Sequence, residues 1–157
     1  MKRIIIAAMG SNGVIGKGEG MPWHVPEEYE HYIRCVSGQA VIMGRRSWEI
    51  FGRDLTSTRN FVVSRSGQVT GAVAVPGLEL ALSRAAETGR TIFIAGGTSI
   101  YAQALESDCV DAMYLSTIRG DYTGDAFFPE WDEAGWEVVR REARTRFEFV
   151  EWRRKRP

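Results

Sequence analysis

The sequence has few of the residues that metal centres and histidine-relayed nucleophiles need. It contains two histidines and two cysteines among 157 residues. Cys35 and Cys109 are far apart and form no C-x-x-C pair, so the sequence indicates neither a disulfide framework nor a metal site. The shortage of histidine disfavours a serine or cysteine nucleophile that is activated by histidine. No apolar run approaches the roughly 20 residues needed to cross a bilayer.

The chain also lacks an excess of charge of either sign. Twenty basic and twenty acidic side chains cancel, which leaves no overall field to attract nucleic acid or a membrane surface. The basic run 153–156 is interpreted as a solvated tail, and Met1 is followed by a strand-like run instead of a secretory leader. We expect a single domain over residues 1–157, a monomer in the cytoplasm, with a small molecule as its partner.

A loop with two prolines leads into the most informative helix, within residues 21–36. Pro26 suits a first helical turn, where its missing N–H needs no partner, so we predict that the helix begins there. Glu28 lies at the edge of the apolar stripe, one turn before Tyr32. Either Glu28 reaches water at the boundary, or it is held in an aromatic pocket where burial raises its pKa and lets it relay a proton.

Short apolar runs alternate with helical segments through the first two thirds of the chain. We predict strands at 3–9, 40–43, 60–63, 72–75, 91–95 and 110–118, and a final hairpin from 137–140 and 147–152. This order predicts an α/β fold with a mixed, mostly parallel sheet, helices on both faces and an antiparallel C-terminal edge. Residues 10–20 carry five glycines, which disfavours a strand or helix, so we expect a loop that acts as a lid.

Two strand–glycine–helix turns suit the binding of phosphate. Gly44 opens one helix, and Gly96-Gly97 precedes another, for which Thr98 is the expected cap. After the strand at 60–63, Ser64 and Arg65 replace the acidic residue expected where NAD is bound. If a dinucleotide binds, the form with a 2′-phosphate is therefore favoured.

These stretches together resemble the dihydrofolate reductase family. The similarity rests on residues 6–8, 13–16, 21–23, Pro26 with Glu28, 41–45, 47–49, Gly96-Gly97 with 100–101, and 124–125 with 128–129. It implies an eight-stranded sheet with about four helices, and a reductase that moves hydride from NADPH to the pterin ring of dihydrofolate, forming tetrahydrofolate. It also implies a cis peptide in the two-glycine turn.

The resemblance further implies a set of site residues. Glu28 would assist protonation, supported by Ser116 from a neighbouring strand, and Trp23 would complete the catalytic group. The dihydropterin would contact Ile6, Ala7, Glu28, Tyr29, Tyr32, Phe51, Arg53, Leu55, Arg59, Ala95, Tyr101 and Ser116. NADPH would contact Ala8, Ile15, Gly16, Met21, Gly44, Arg45, Arg46, Ser47, Val63, Ser64, Arg65, Gly96, Gly97, Thr98, Ser99, Ile100, Tyr101 and Asp125.

One departure from the family pattern concerns the tail of the substrate. The family usually has an arginine that grips the α-carboxylate of the glutamate tail, and Thr58 stands at that position here. Either Arg59, Arg53 or Arg34 takes over this role, or the natural substrate lacks that carboxylate. The alternatives are a methanopterin-type dihydropterin, a flavin-pathway pyrimidine, or a nucleotide-binding module without turnover, against which Glu28 argues. Tyr29 and Tyr32 make the pocket more polar, and Ala95 widens it.

Overall fold

Buried apolar runs form the centre of a mixed sheet. The computed structural model describes residues 2–18 and 20–156. Its strands are β1 (Arg3–Gly10), β2 (Val14–Gly16), β3 (Ala40–Gly44), β4 (Arg59–Val63), β5 (Val73–Val75), β6 (Ile92–Ile94), β7 (Ala112–Ile118), β8 (Ala126–Phe127), β9 (Trp136–Ala143) and β10 (Phe147–Arg154). Its helices are α1 (Pro26–Val36), α2 (Arg45–Phe51), α3 (Leu78–Ala86) and α4 (Thr98–Glu106), with short 3-10 turns at Gly52–Asp54 and Glu133–Gly135.

Eight strands form the main sheet in the order β5-β4-β3-β6-β1-β7-β10-β9. The pairs from β5 to β7 are parallel, and β10 pairs antiparallel with both β7 and β9. The predicted α/β sheet with its antiparallel C-terminal edge is therefore confirmed. Central strands are apolar on both faces because helices cover both: Ile5 packs with the residues of α3 and α4, and Ile4 packs with Val36 of α1.

Helix α1 begins at Pro26, as predicted. Its first turn carries Glu27 and Glu28 and its last turn carries Arg34, an order that complements the helix dipole. Glu28 and Val36 are the buried residues of this helix. Its inner face therefore points a carboxyl group into the protein near its beginning and an apolar side chain near its end.

The glycine-rich segment is more ordered than predicted. Val14–Gly16 forms strand β2, which pairs with β8, and the N–H of Phe128 donates to the carbonyl of Gly13 at 2.8 Å. Gly124 allows this close approach, because a Cβ atom there would lie 2.3 Å from the carbonyl oxygen of Gly16. The prediction of a loop throughout residues 10–20 was wrong, since pairing with a distant segment outweighs the local cost of glycine.

The expected cap of α4 is also wrong. Gly97 is the N-cap residue, and it makes no side-chain capping bond. The hydroxyl of Thr98 instead donates to the carbonyl of Phe127 at 2.9 Å, which ties the start of α4 to β8. Within the described ranges, no helix is long and apolar enough to cross a membrane.

Candidate active site

Two adjoining cavities lie where the central parallel strands end. One is a cleft of about 1000 Å³ bordered by α2, α4 and the glycine-rich segment. The other is a smaller pocket between α1, β1 and the two-glycine turn. They share four lining residues: Ile15, Ser47, Phe51 and Gly97. Molecules bound in the two cavities would therefore touch, which is the arrangement that direct transfer between two ligands needs.

The larger cleft collects most of the residues expected to bind the cofactor. It is lined by Ile15, Gly16, Gly44, Arg45, Arg46, Ser47, Val63, Ser64, Arg65, Gly97, Thr98, Ser99, Ile100 and Asp125. The other expected cofactor residues, Ala8, Met21, Gly96 and Tyr101, line the smaller pocket. Sequence reasoning missed several further lining residues, among them Gly18, Gly20, Ser66, Pro76 and Gln103.

The two strand–glycine–helix turns pack against each other at the cleft. The N–H of Gly44 donates to the carbonyl of Gly96 at 2.8 Å, and the peptide bond between Gly96 and Gly97 is cis. A Cβ atom at Gly97 would lie 3.4 Å from Oγ of Ser47, so little room remains for a side chain. The start of α4 presents backbone N–H groups and the positive end of its dipole to this space.

Arg45 organises a cationic corner at one side of the cleft. Its guanidinium donates to Oγ of Ser66 at 2.6 Å and to Oγ of Ser64 at 3.2 Å, and its Nε donates to Glu49 at 2.9 Å. The exposed side chain of Arg65 lies next to these hydroxyl groups in the chain. Guanidinium and hydroxyl donors of this kind fit a phosphate monoester. Ser66 could have been found from the repeated S-x-S pattern after β4.

Arg46 and Asp125 hold the glycine-rich segment at the rim of the cleft. The N–H of Gly18 donates to Asp125 at 3.1 Å, and the guanidinium of Arg46 donates to the carbonyl of Gly18 at 3.0 Å. The segment is therefore attached to both sides of the opening. The segment thus borders the opening of the larger cleft.

The smaller pocket is lined largely by apolar and aromatic side chains around one carboxyl group. Its lining includes the expected substrate residues Ile6, Ala7, Glu28, Tyr29, Tyr32, Phe51, Ala95 and Tyr101. Met43 also lines it, and nothing in the sequence separated this residue from the buried core of β3. The pocket thus surrounds the acidic group of α1 with groups that exclude water.

Glu28 is the buried carboxyl group of this pocket. Only 6% of the residue is exposed, so the buried interpretation of this residue matches the structure. Burial raises the pKa of Glu28 from 4.5 to about 7, and a hydrogen bond from the hydroxyl of Ser116 acts in the lowering direction. Near neutral pH the side chain is present in both its protonated and its ionised form, so it can accept and donate a proton.

Two tyrosines complete the pocket with neutral hydroxyl groups. The hydroxyl of Tyr101 donates to the carbonyl of Ile6 at 2.8 Å, which fixes the ring beside the two-glycine turn. Burial raises the pKa of Tyr101 and of Tyr32 above the ordinary value, so both stay protonated. Glu28 is therefore the group of this pocket that titrates near neutral pH.

Five expected site residues lie outside both cavities. Trp23 packs edge-on against Tyr122, with ring centroids 5.3 Å apart. Leu55 is 1% exposed and belongs to the core. Arg53 and Arg59 are exposed, and Ser116 is buried in β7, where it is hydrogen-bonded to Glu28. Among residues 2–18 and 20–156, no group of three or more His, Cys, Asp or Glu side chains is placed to hold a metal ion.

Nearly the whole chain is similar to one known protein family. Residues 3–154 match the family model described as dihydrofolate reductase. The chain belongs to the dihydrofolate reductase family.

Individual relatives agree with this dihydrofolate reductase assignment. The chain is 37% identical over 139 residues to dihydrofolate reductase type 3 of Salmonella typhimurium, covering 87% of this chain and 84% of that protein. It is 37% identical over 147 residues to dihydrofolate reductase of Neisseria gonorrhoeae, covering 92% and 89%. It is 32% identical over 165 residues to dihydrofolate reductase HdrB of Haloferax volcanii, covering 98% and 84%. These relatives do not favour a methanopterin-type or pyrimidine substrate.

A solved structure confirms the dihydrofolate reductase fold. The structure of dihydrofolate reductase from Enterococcus faecalis, complexed with NADP(H) and RAB-propyl, matches with a TM-score of 0.89. The match covers 99% of this chain and 97% of that chain, at 24% sequence identity. The backbone is therefore that of the family throughout, while most side chains differ.

Proposed function

We propose that this protein reduces dihydrofolate to tetrahydrofolate, with NADPH as the hydride donor. The observation that supports this proposal most strongly is the buried carboxyl group of Glu28. It lies in the smaller pocket, which adjoins the larger cleft that contains the cationic corner. Relatives named dihydrofolate reductase support the choice of substrate. The donor set at Arg45, Ser64 and Ser66 supports NADPH over NADH, because it offers partners to a 2′-phosphate.

The residues of the cleft fit the parts of the cofactor. Arg45, Ser64, Arg65 and Ser66 would hold the 2′-phosphate, and the N-terminus of α4 would face the pyrophosphate. Ala8, Ile15 and Tyr101 would border the nicotinamide, beside the smaller pocket. When bound, NADPH supplies the hydride.

The pocket residues hold and protonate the pterin. Glu28 can bond the amino group and the adjacent ring nitrogen of the pterin, which fixes the orientation of the ring. Because its pKa is raised to about 7, a substantial fraction of Glu28 is protonated at neutral pH and can help to deliver the proton to the imine nitrogen, through water. Tyr101, Ile6 and the glycine-rich segment exclude other water from the reacting face.

The proposal is tested by steady-state loss of reduced-nicotinamide absorbance with purified protein, NADPH and dihydrofolate. Tetrahydrofolate is identified by chromatography, and NADH replaces NADPH in a parallel reaction. We expect turnover that needs both substrates and prefers NADPH. Tight binding of NADPH without oxidation that depends on dihydrofolate would overturn the proposal.

We also propose a single-domain cytoplasmic monomer. Strand β9, one of the two edge strands of the main sheet, is protected from pairing with another chain by charged side chains and by an irregularity opposite Glu151 and Trp152. Cys35 and Cys109 are both free, as expected in a reducing compartment. Sedimentation at micromolar concentration should give the mass of one chain, and a dimer mass would contradict the monomer.

A further inference from the structure

An exposed acidic group is hydrogen-bonded to a side chain that lines the smaller pocket. Tyr29 is half-buried and lines the pocket, and its hydroxyl donates to Oδ2 of Asp54 at 2.5 Å. Asp54 is exposed and lies in the 3-10 turn that follows α2, whereas Tyr29 belongs to α1. This bond holds the carboxylate against Tyr29, at the outer side of the pocket wall that Tyr29 and Phe51 contribute.

Position 58 offers no positive charge to balance it. The hydroxyl of Thr58 donates to the carbonyl of Leu55 at 2.8 Å and also contacts the amide oxygen of Asn60. Thr58 is therefore engaged within its own turn and does not reach the pocket. Arg59 is exposed at the start of β4 and does not line the pocket either.

Arg53 lies in the same 3-10 turn as Asp54, yet the acidic group has the stronger effect on the hydroxyl of Tyr29. Burial is the largest cause that raises the pKa of Tyr29, and the hydrogen bond and charge of Asp54 follow. The charge of Arg53 lowers this pKa and is the weakest of these influences. At the hydroxyl of Tyr29, the hydrogen bond and charge of Asp54 therefore outweigh the charge of Arg53.

A bound dihydropterin must extend towards this carboxylate. This step rests on the proposed function, in which Glu28 holds the amino group of the pterin at the buried end of the pocket. The substituent of the pterin then has to leave through the open end, past Tyr29. In dihydrofolate that substituent ends in a glutamate with two carboxylates, which Asp54 repels.

We propose that Asp54, held in place by Tyr29, is a specificity-determining residue that disfavours carboxylates beyond the pterin ring. The enzyme then gains little binding from the glutamate tail. It accepts dihydropterins with a neutral substituent about as well as dihydrofolate.

The test compares dihydrofolate with a dihydropterin that carries a methyl group in place of the tail. Asp54→Asn keeps an acceptor for the hydroxyl of Tyr29 and removes the charge. Charges several ångströms apart at a hydrated surface alter binding about threefold to tenfold, so we expect KM for dihydrofolate to fall by that factor. KM for the tail-less substrate should stay unchanged. The exposed Asp132→Asn, at the remote turn before β9, is the matched control and should alter neither value.

Two further measurements separate charge from structure. Tyr29→Phe keeps the ring and releases Asp54, so KM for dihydrofolate should fall less than in Asp54→Asn, and the double variant should match Asp54→Asn alone. Added salt should narrow the difference between wild type and Asp54→Asn, because it screens the repulsion. Equal changes for both substrates, or no change, would overturn the proposal.

The proposed role of Asp54 and the proposed reductase activity can be refuted independently of each other. If the wild type oxidises no NADPH with either pterin, the proposed function fails. The affinities of dihydrofolate and of the tail-less pterin, measured by tryptophan fluorescence, still decide the role of Asp54. A wild type that binds dihydrofolate more than a hundredfold better than the tail-less compound contradicts it.

Discussion

Replacing Glu28 with glutamine should separate stability from catalysis. Burial raises the pKa of Glu28 from 4.5 to about 7, so the folded state resists ionisation of this group and the unfolded state does not. Below pH 4.5 both states are protonated and the group contributes nothing. As the pH rises towards 7, the unfolded state loses the proton first and the folded state is destabilised.

The size of this effect follows from the difference between the two pKa values. At about 1.4 kcal/mol per pKa unit, ionising Glu28 in the folded protein costs about 3 kcal/mol at and above neutral pH. Glutamine has the same shape and no proton to lose. Glu28→Gln should therefore raise the free energy of unfolding by an amount of this order at about pH 8, and change it little at about pH 4.5.

The same substitution should remove most turnover. The amide keeps one hydrogen-bond acceptor for the pterin but cannot relay a proton, so NADPH binding should survive while kcat/KM falls at least about a hundredfold, as for other general acids. In the wild type, kcat/KM should fall as the pH rises through about 7, and this dependence should vanish in the variant.

The assays are urea unfolding at the two pH values and steady-state NADPH oxidation across the pH range. Glu30→Gln is the control, because Glu30 is an exposed carboxylate on the same helix. Wild-type turnover in Glu28→Gln would refute the proton-transfer role. A stability difference that is the same at both pH values would refute the raised pKa of Glu28 in the folded protein.

Three further predictions concern the surroundings of the site. Ser116→Ala removes the hydrogen bond that lowers the pKa of Glu28, so the loss of kcat/KM at high pH should move to higher pH; a shift to lower pH would contradict this. Arg45→Gln should weaken NADPH binding about tenfold to a hundredfold and should change NADH binding little. The control Arg84→Gln on α3 should affect the binding of neither cofactor, and equal losses for both cofactors in Arg45→Gln would exclude a 2′-phosphate contact. Gly124→Ala should cost about 1–3 kcal/mol in urea unfolding, because the new Cβ meets the carbonyl oxygen of Gly16, while Gly135→Ala meets nothing and serves as the control.

Features that depend on residues close together in the chain could be predicted from the sequence. Pro26 set the start of α1, and continuous apolar runs marked the buried strands β1 and β3. The alternation of strands with helices was enough to predict a mostly parallel sheet, because parallel strands need helical crossovers. The order of motifs along the chain was enough to identify the family. All of these signals lie within short stretches of sequence.

Relations between distant segments were decided only by the tertiary structure. Glu28 lies at the edge of a helical stripe, where periodicity alone permits water or burial, and packing of α1 against the sheet beside Ser116 of β7 made it buried. Pairing with β8 made a short strand, Val14–Gly16, within the glycine-rich segment. The bond from Tyr29 to Asp54 joins α1 to the turn after α2. Local patterns determine which face of a segment is apolar, but which side chains meet across a cavity depends on how the segments pack together.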